Sequence, residues 1–176
     1  MNAVDNMHYG HQAVLEAIHD LPVTKWNVPG VCGEWSVKDI IAHLASFERV
    51  LVEALASLLD EDIPTPTLDQ FHQDFGNFND REVARRQRMT PAEVLSEYKA
   101  NHARVQAIAK QIPAETFRQA GALSWYGPEY DVEDFLVYTF YAHKREHAAQ
   151  IEVYRDKLSR AMPYWLEGNV VQMAVA

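Results

Sequence analysis

The chain has 176 residues, a formal charge of −9, 48% apolar residues and 23% charged residues. That balance is expected of one globular domain over residues 1–176 rather than a disordered or fibrous chain. The charge argues against nucleic acid, which needs clustered Lys and Arg, and Cys32, the only cysteine, rules out an intrachain disulfide or a thiolate cluster. The first residues lack the basic-then-apolar pattern of a signal peptide, and no apolar run approaches the ~20 residues of a membrane span. A cytoplasmic setting is therefore expected.

Four long segments carry helical periodicity. The first runs from about Ala3 to Leu21, with Val4, Met7, His11, Leu15 and Ile18 in three- and four-residue steps. Pro22 closes it, and Pro29, Gly30 and Gly33 mark a loop. Ser36 and Asp39 then form an arrangement close to a capping box. The second helix follows, with Ile40, His43, Phe47, Val50, Leu51, Ala54 and Leu58 on one face, and ends between Asp60 and Pro66.

From Thr67 to Met89 the pattern is less regular. It reads as a short helix, a turn at Gly76 and another helix from about Asn79, with Arg81 to Arg88 as a solvated face. Thr90, Pro91 and Glu93 supply an N-cap, a first-turn proline and a reciprocal cap for the third long helix. Its stripe is Val94, Tyr98, Asn101, Val105, Ile108 and Ile112, and Pro113 stops it. Ala114 to Tyr130 reads as loop. Asp131 caps the fourth long helix, which runs to about Ser159 with Leu136, Phe140, His143, His147, Ile151, Tyr154 and Leu158 on one face. Lys144, Arg145, Arg155 and Asp156 fall largely off that face. No segment alternates long enough to predict a sheet, so the fold class is all-α.

Two histidines one helical turn apart, His143 and His147, point the same way from an apolar stripe. Neutral imidazole is the commonest protein ligand for first-row metals, and His43, inward-facing on the second helix, is the best third ligand. Three His around one ion, with open positions left over, is the ligand set of a catalytic metal rather than a structural one. Periodicity alone equally allows three core histidines hydrogen-bonded to their neighbours. His143 to His147 also spells H-x-x-E-H, the inverted zinc-peptidase signature with Glu146 as base. That reading leaves His43 unused and needs a ligand well downstream.

Other residues have lesser roles. Gln150, one turn beyond His147, could orient it, while Glu146 lies about 100° around the helix and could pair with a cation. His11 and Asn101 read as buried polar residues or pocket lining. Trp26, Trp35, Trp125 and Tyr126 could wall a ligand site or lid the core. Cys32 reads as a small loop residue.

The run Trp35-Ser36-Val37-Lys38-Asp39-Ile40-Ile41-Ala42-His43-Leu44 resembles the opening of helix two in the DinB-like (YfiT-like) metalloenzyme superfamily. The stretch from His143 and His147 to Gln150 and Ile151 is similar to the matching part of its last helix, and the likeness covers nearly the whole chain. Phe78-Asn79-Asp80-Arg81-Glu82, Pro91-Ala92-Glu93-Val94-Leu95 and Trp125-Tyr126-Gly127 resemble the ClbS/DfsB-type branch through shorter matches.

The resemblance implies a four-helix bundle of up-down-down-up type with a long crossover between helices two and three. It implies nickel or zinc on His43, His143 and His147, and a homodimer. It also implies a metal-dependent enzyme acting on a small electrophilic molecule, with metal-activated water or a low-molecular-weight thiol as nucleophile. The alternative is a non-catalytic bundle that binds or sequesters a small hydrophobic ligand.

The apolar tail from Met162 to Ala176 adds to the expectation of a homodimer or of a scaffold role. Light scattering should give about twice the chain mass of 20.1 kDa. A monomer at micromolar concentration would leave the tail without a partner copy to pack on.

Overall fold

A computed structural model describes residues 3–60 and 62–161. They form α1 (Ala3–Ile18), α2 (Val37–Ala56), α3 (Pro66–Gln73), α4 (Phe75–Arg85), α5 (Pro91–Ala109), α6 (Val132–Phe135) and α7 (Ala142–Ala161). A π-helical segment, Leu136–Tyr141, joins α6 to α7. The fold is all-α: among the described residues the only extended pairing is an isolated bridge between Cys32 and Trp35. The tail from Met162 onward lies outside the described residues.

The helix starts follow from local chemistry. Ser36 Oγ accepts from the Asp39 amide while Asp39 Oδ2 accepts from the Ser36 amide, so two otherwise unpaired amides are satisfied at the head of α2. Thr90 and Glu93 do the same for α5, and Asp131 and Asp134 for α6. Between α3 and α4 the chain breaks at Asp74 (φ −141°, ψ 51°), and Gly76 lies inside α4 instead of making the expected turn. The Asp74 carboxylate fixes that break by accepting from Asn77 Nδ2 and Arg81 Nη1, both at 2.8 Å.

Helix α2 is the centre of the molecule, with 17 of its 20 residues buried. A helix covered on every side needs partners all round: α5 lies along it, α3 and α4 cover another side, and α7 meets it over a short stretch. α1 packs along α7 and the π segment. Polar side chains of α2 pin the connecting segment. Glu53 Oε2 accepts from the amides of Thr67 (2.7 Å) and Leu68 (2.8 Å), satisfying the head of α3. Lys38 Nζ donates to the carbonyl of Gln87 at 2.9 Å. Arg86, expected on a solvated face, is instead 7% exposed, held between Glu82 and the two oxygens of Glu97.

The core falls into two apolar clusters separated by a polar layer. One holds Met7, Phe47, Val105, Leu136 and Phe140; the other holds Val14, Ile40, Tyr98, Ala148 and Ile151. Between them α1 contributes His11, α2 contributes His43 and Glu48, α5 contributes His102, and α7 contributes Lys144 and His147, all buried.

Removing the Glu53 carboxylate leaves two buried amides without acceptors. Hydrogen bonds to charged groups are worth ~1.5–3 kcal/mol each, so Glu53→Ala should lower the unfolding free energy in urea by about 2–4 kcal/mol. A loss within the ~0.5 kcal/mol typical of surface changes would show that α3 is not held this way.

A three-histidine cluster beneath an aromatic pocket

Three of the residues singled out in the sequence come together at one level of the core. His43 Nε2 of α2 lies 2.8 Å from His143 Nε2, and His147 Nε2 lies 3.0 Å from the same atom, both partners being on α7. On α7 the other side of each ring sets its direction. The Nδ1–H of His147 donates to Gln150 Oε1 at 2.8 Å, leaving its Nε2 with a free lone pair. His143 hydrogen-bonds to the backbone of Thr139, within the π segment. Trp35 and Phe47 pack against the His43 ring at centroid distances of 5.0 and 4.7 Å.

A metal-binding set must be neutral and must aim its lone pairs at one point. Burial first, then the neighbouring rings, pushes His43 down to about 2. The same causes, with Lys144 added, push His143 down to about 3. Burial lowers His147 too, against the pull of Gln150 and Glu146. Near neutral pH all three are uncharged imidazoles.

Hydrogen bonding does not account for their spacing. One ring nitrogen carries either a proton or a single lone pair, so His143 Nε2 cannot form two good bonds at 2.8 and 3.0 Å. Two nitrogens each about 2.05 Å from one ion and about 90° apart lie about 2.9 Å from each other, by the usual metal–imidazole distance. The donor set and its spacing fit a divalent transition metal.

His43 and His143 form part of the floor of a pocket of about 640 Å³. Phe47, Phe71 and Phe135 line it, and Phe75, Trp125, Tyr126 and Tyr138 complete its aromatic wall. Three of these are open to solvent, with Phe75 64%, Tyr138 65% and Trp125 38% exposed. Its other polar lining is His72, Asn79, Thr139 and Glu146. Gln150 Nε2 donates to Glu146 Oε1 at 3.4 Å, so Glu146 stands beside the histidines, where the sequence suggested a Lys or Arg as its partner. Gly127, at φ 131°, makes the turn behind Trp125 and Tyr126, a backbone conformation that favours glycine.

The remaining candidates lie elsewhere. Asn101 Nδ2 donates to the carbonyl of Ala45, and His11 stacks on His102, so neither lines the pocket. Trp26 is core, with its Nε1 donating to the Leu21 carbonyl. Cys32 sits in its loop paired to the Trp35 backbone. The zinc-peptidase reading gains nothing: the third ring beside His143 and His147 is His43, 100 residues upstream. Sequence reasoning missed Phe71, His72 and Phe75, whose only signal was aromatic residues recurring at helical spacing in the connecting segment, and it gave Asn79, Phe135 and Tyr138 no place at a pocket.

Residues 7–151 match the family model of the DinB superfamily, a span that holds all three histidines and the pocket. Comparison with curated proteins and with solved structures gives no match.

The lowered pKa values make stability pH-dependent in one direction. In the unfolded chain these imidazoles take protons near ~6.5, but the folded rings resist down to about 3 for His143 and about 2 for His43. Below pH ~6.5 the unfolded state therefore binds more protons, and each such histidine costs about 1.4 kcal/mol per pH unit. The melting temperature of metal-free protein should be flat above pH ~6.5 and fall steadily below it. His43→Phe should flatten the fall, and a wild-type profile unchanged down to pH ~5 would contradict the burial of neutral rings.

Proposed function

The chain belongs to the DinB superfamily, and on that footing we propose that it is a metal-dependent enzyme for a small electrophilic molecule. His43, His143 and His147 hold one divalent transition metal, nickel or zinc, and the nucleophile is water or a low-molecular-weight thiol. The observation that carries this reading is the meeting of three neutral imidazoles, with His43 Nε2 and His147 Nε2 within 3.0 Å of His143 Nε2, beside an aromatic pocket that His43 and His143 line. The same reading takes the four long helices α1, α2, α5 and α7 as an up-down-down-up bundle, with α3 and α4 as the crossover. It also includes the ClbS/DfsB-type branch, a homodimer and a cytoplasmic setting. Among the described residues no helix is long and apolar enough to cross a membrane.

A divalent ion on three neutral imidazoles keeps its full charge and lowers the pKa of a bound water or thiol toward neutrality. The chain supplies the rest. The aromatic wall takes the apolar body of the substrate and excludes water around it. Gln150 fixes His147 as the Nδ1–H tautomer. Glu146, exposed at the rim and touched by Gln150, is placed to accept the proton that the nucleophile releases. His72, its pKa lowered by burial and its ring 4.5 Å from Trp125, offers a neutral imidazole in the pocket lining.

The aromatic wall also supports the second reading, capture of a hydrophobic ligand without turnover. Elemental analysis and assays separate the two. Wild-type protein should carry about one nickel or zinc ion per chain, and His43→Ala, His143→Ala and His147→Ala should each lose at least ~90% of it while remaining helical. Metal-loaded protein should consume apolar electrophiles in buffer or with added thiol, and Glu146→Gln should slow turnover ~10²-fold or more with metal retained. Metal in wild type without turnover of any electrophile would favour the capture reading. Equal metal in all four proteins would remove the three-histidine site.

A further inference from the structure

A second group of buried polar side chains lies behind the histidines, with one from each of four helices. Glu48 of α2 is wholly buried; its Oε1 is ion-paired with Lys144 Nζ of α7 and lies 3.2 Å from His102 Nδ1 of α5. His11 of α1 stacks on His102 with centroids 3.7 Å apart and planes 3° from parallel. Burial opposes the Glu48 charge, but Lys144 and His102 outweigh it and hold the carboxyl at about 2.

His11, Glu48 and His102 are by residue type a metal-ligand set, with ligand atoms within 4.8 Å of one another. The cation there is already provided. Lys144 is 1% exposed and contacts the only carboxylate of the group, and a divalent ion would face that ammonium at short range in a low-dielectric core. The cluster is closed by lysine.

We propose that the Glu48–Lys144 ion pair is the positioning device of the three-histidine site, locking α7 against α2 at the level where His43 and His143 meet. This rests on the reading that those histidines bind metal. Glu48 lies five residues beyond His43 on α2, and Lys144 directly follows His143 on α7. These two helices share only a short contact, yet the site needs their Nε2 atoms held at 2.8 Å. Separating two opposite charges in a dry interior is costly, so the pair fixes one relative position of the two helices there.

Two further observations favour a geometric role over a stabilising one. Replacing a buried ion pair by apolar residues of like volume is often neutral or stabilising, and this pair leaves Glu48 Oε2 buried without a hydrogen-bond partner among the described residues. Room has also been cleared for the lysine. A Cβ on Gly10 would lie 3.3 Å from Lys144 Cδ and 3.3 Å from Tyr141 Cδ2, so a helical position carries glycine despite its conformational cost.

The test uses the full chain carrying both Glu48→Gln and Lys144→Met, which removes the charges and keeps the volume, together with Glu48→Asp, which keeps the charges and shortens the reach. Three quantities are measured: the melting temperature without metal, the zinc Kd by chelator competition, and the imidazole ¹⁵N–¹H NMR correlations of metal-free protein. The double variant should melt no lower than wild type, bind zinc about tenfold or more weakly, and shift or broaden the resonances of His43, His143 and His147. Glu48→Asp should weaken zinc similarly, and it decides the matter if the double variant does not fold. Unchanged zinc Kd and unchanged imidazole resonances in a folded variant would reduce the pair to packing and overturn the proposal. If wild type binds no zinc, the metal reading fails, and the metal-free imidazole resonances still report whether the pair sets the spacing.

Discussion

His143 Nε2 has two imidazole nitrogens within 3.0 Å and a single valence position to offer them. Two close contacts on one ring nitrogen cost energy in a dry interior unless a cation sits among the lone pairs, and much of the architecture serves to bring those three atoms together. The rings come from two helices that barely touch, and the two on α7 are oriented from behind by Gln150 and by the Thr139 backbone. Burial keeps all three neutral. Each feature would be a liability in a bundle selected for stability alone, because a buried polar ring without a good partner is costly.

The rest of the fold accommodates that layer. Apolar clusters above and below supply the stabilising burial, and the layer between them carries polar side chains from all four long helices. The segment between α2 and α5 serves two ends. Lys38, Glu53 and Arg86 pin it to the bundle with hydrogen bonds, and Phe71, packed on the core, and Phe75, exposed, build one wall of the pocket over the histidines. A chain fixed at several points can hold exposed aromatic side chains in place without packing them into the core.

Much of this was legible in the sequence, for a physical reason. Ser36, Thr90 and Asp131 announced their helices because capping is a contact within four residues, and the inward direction of His43, His143 and His147 followed from helical period alone. What escaped depends on partners distant in sequence. Lys144 lies one residue from His143, about 100° around the helix, and reads as solvated until α1 is known to pass over it at Gly10. Arg86 reads as part of a basic face until α5 brings up Glu97. The break at Asp74 rests on side-chain bonds to Asn77 and Arg81. The π segment has no glycine or proline to mark it, yet it supplies the backbone that faces His143.

The most direct test of the metal centre is X-ray absorption at the zinc or nickel edge of the loaded protein. The first shell should contain three imidazole nitrogens at about 2.0–2.1 Å, with the outer-ring scattering of imidazole, reduced by one imidazole in His43→Ala wherever residual metal persists. A first shell without imidazole, or a wild-type protein that takes up neither ion, would contradict it.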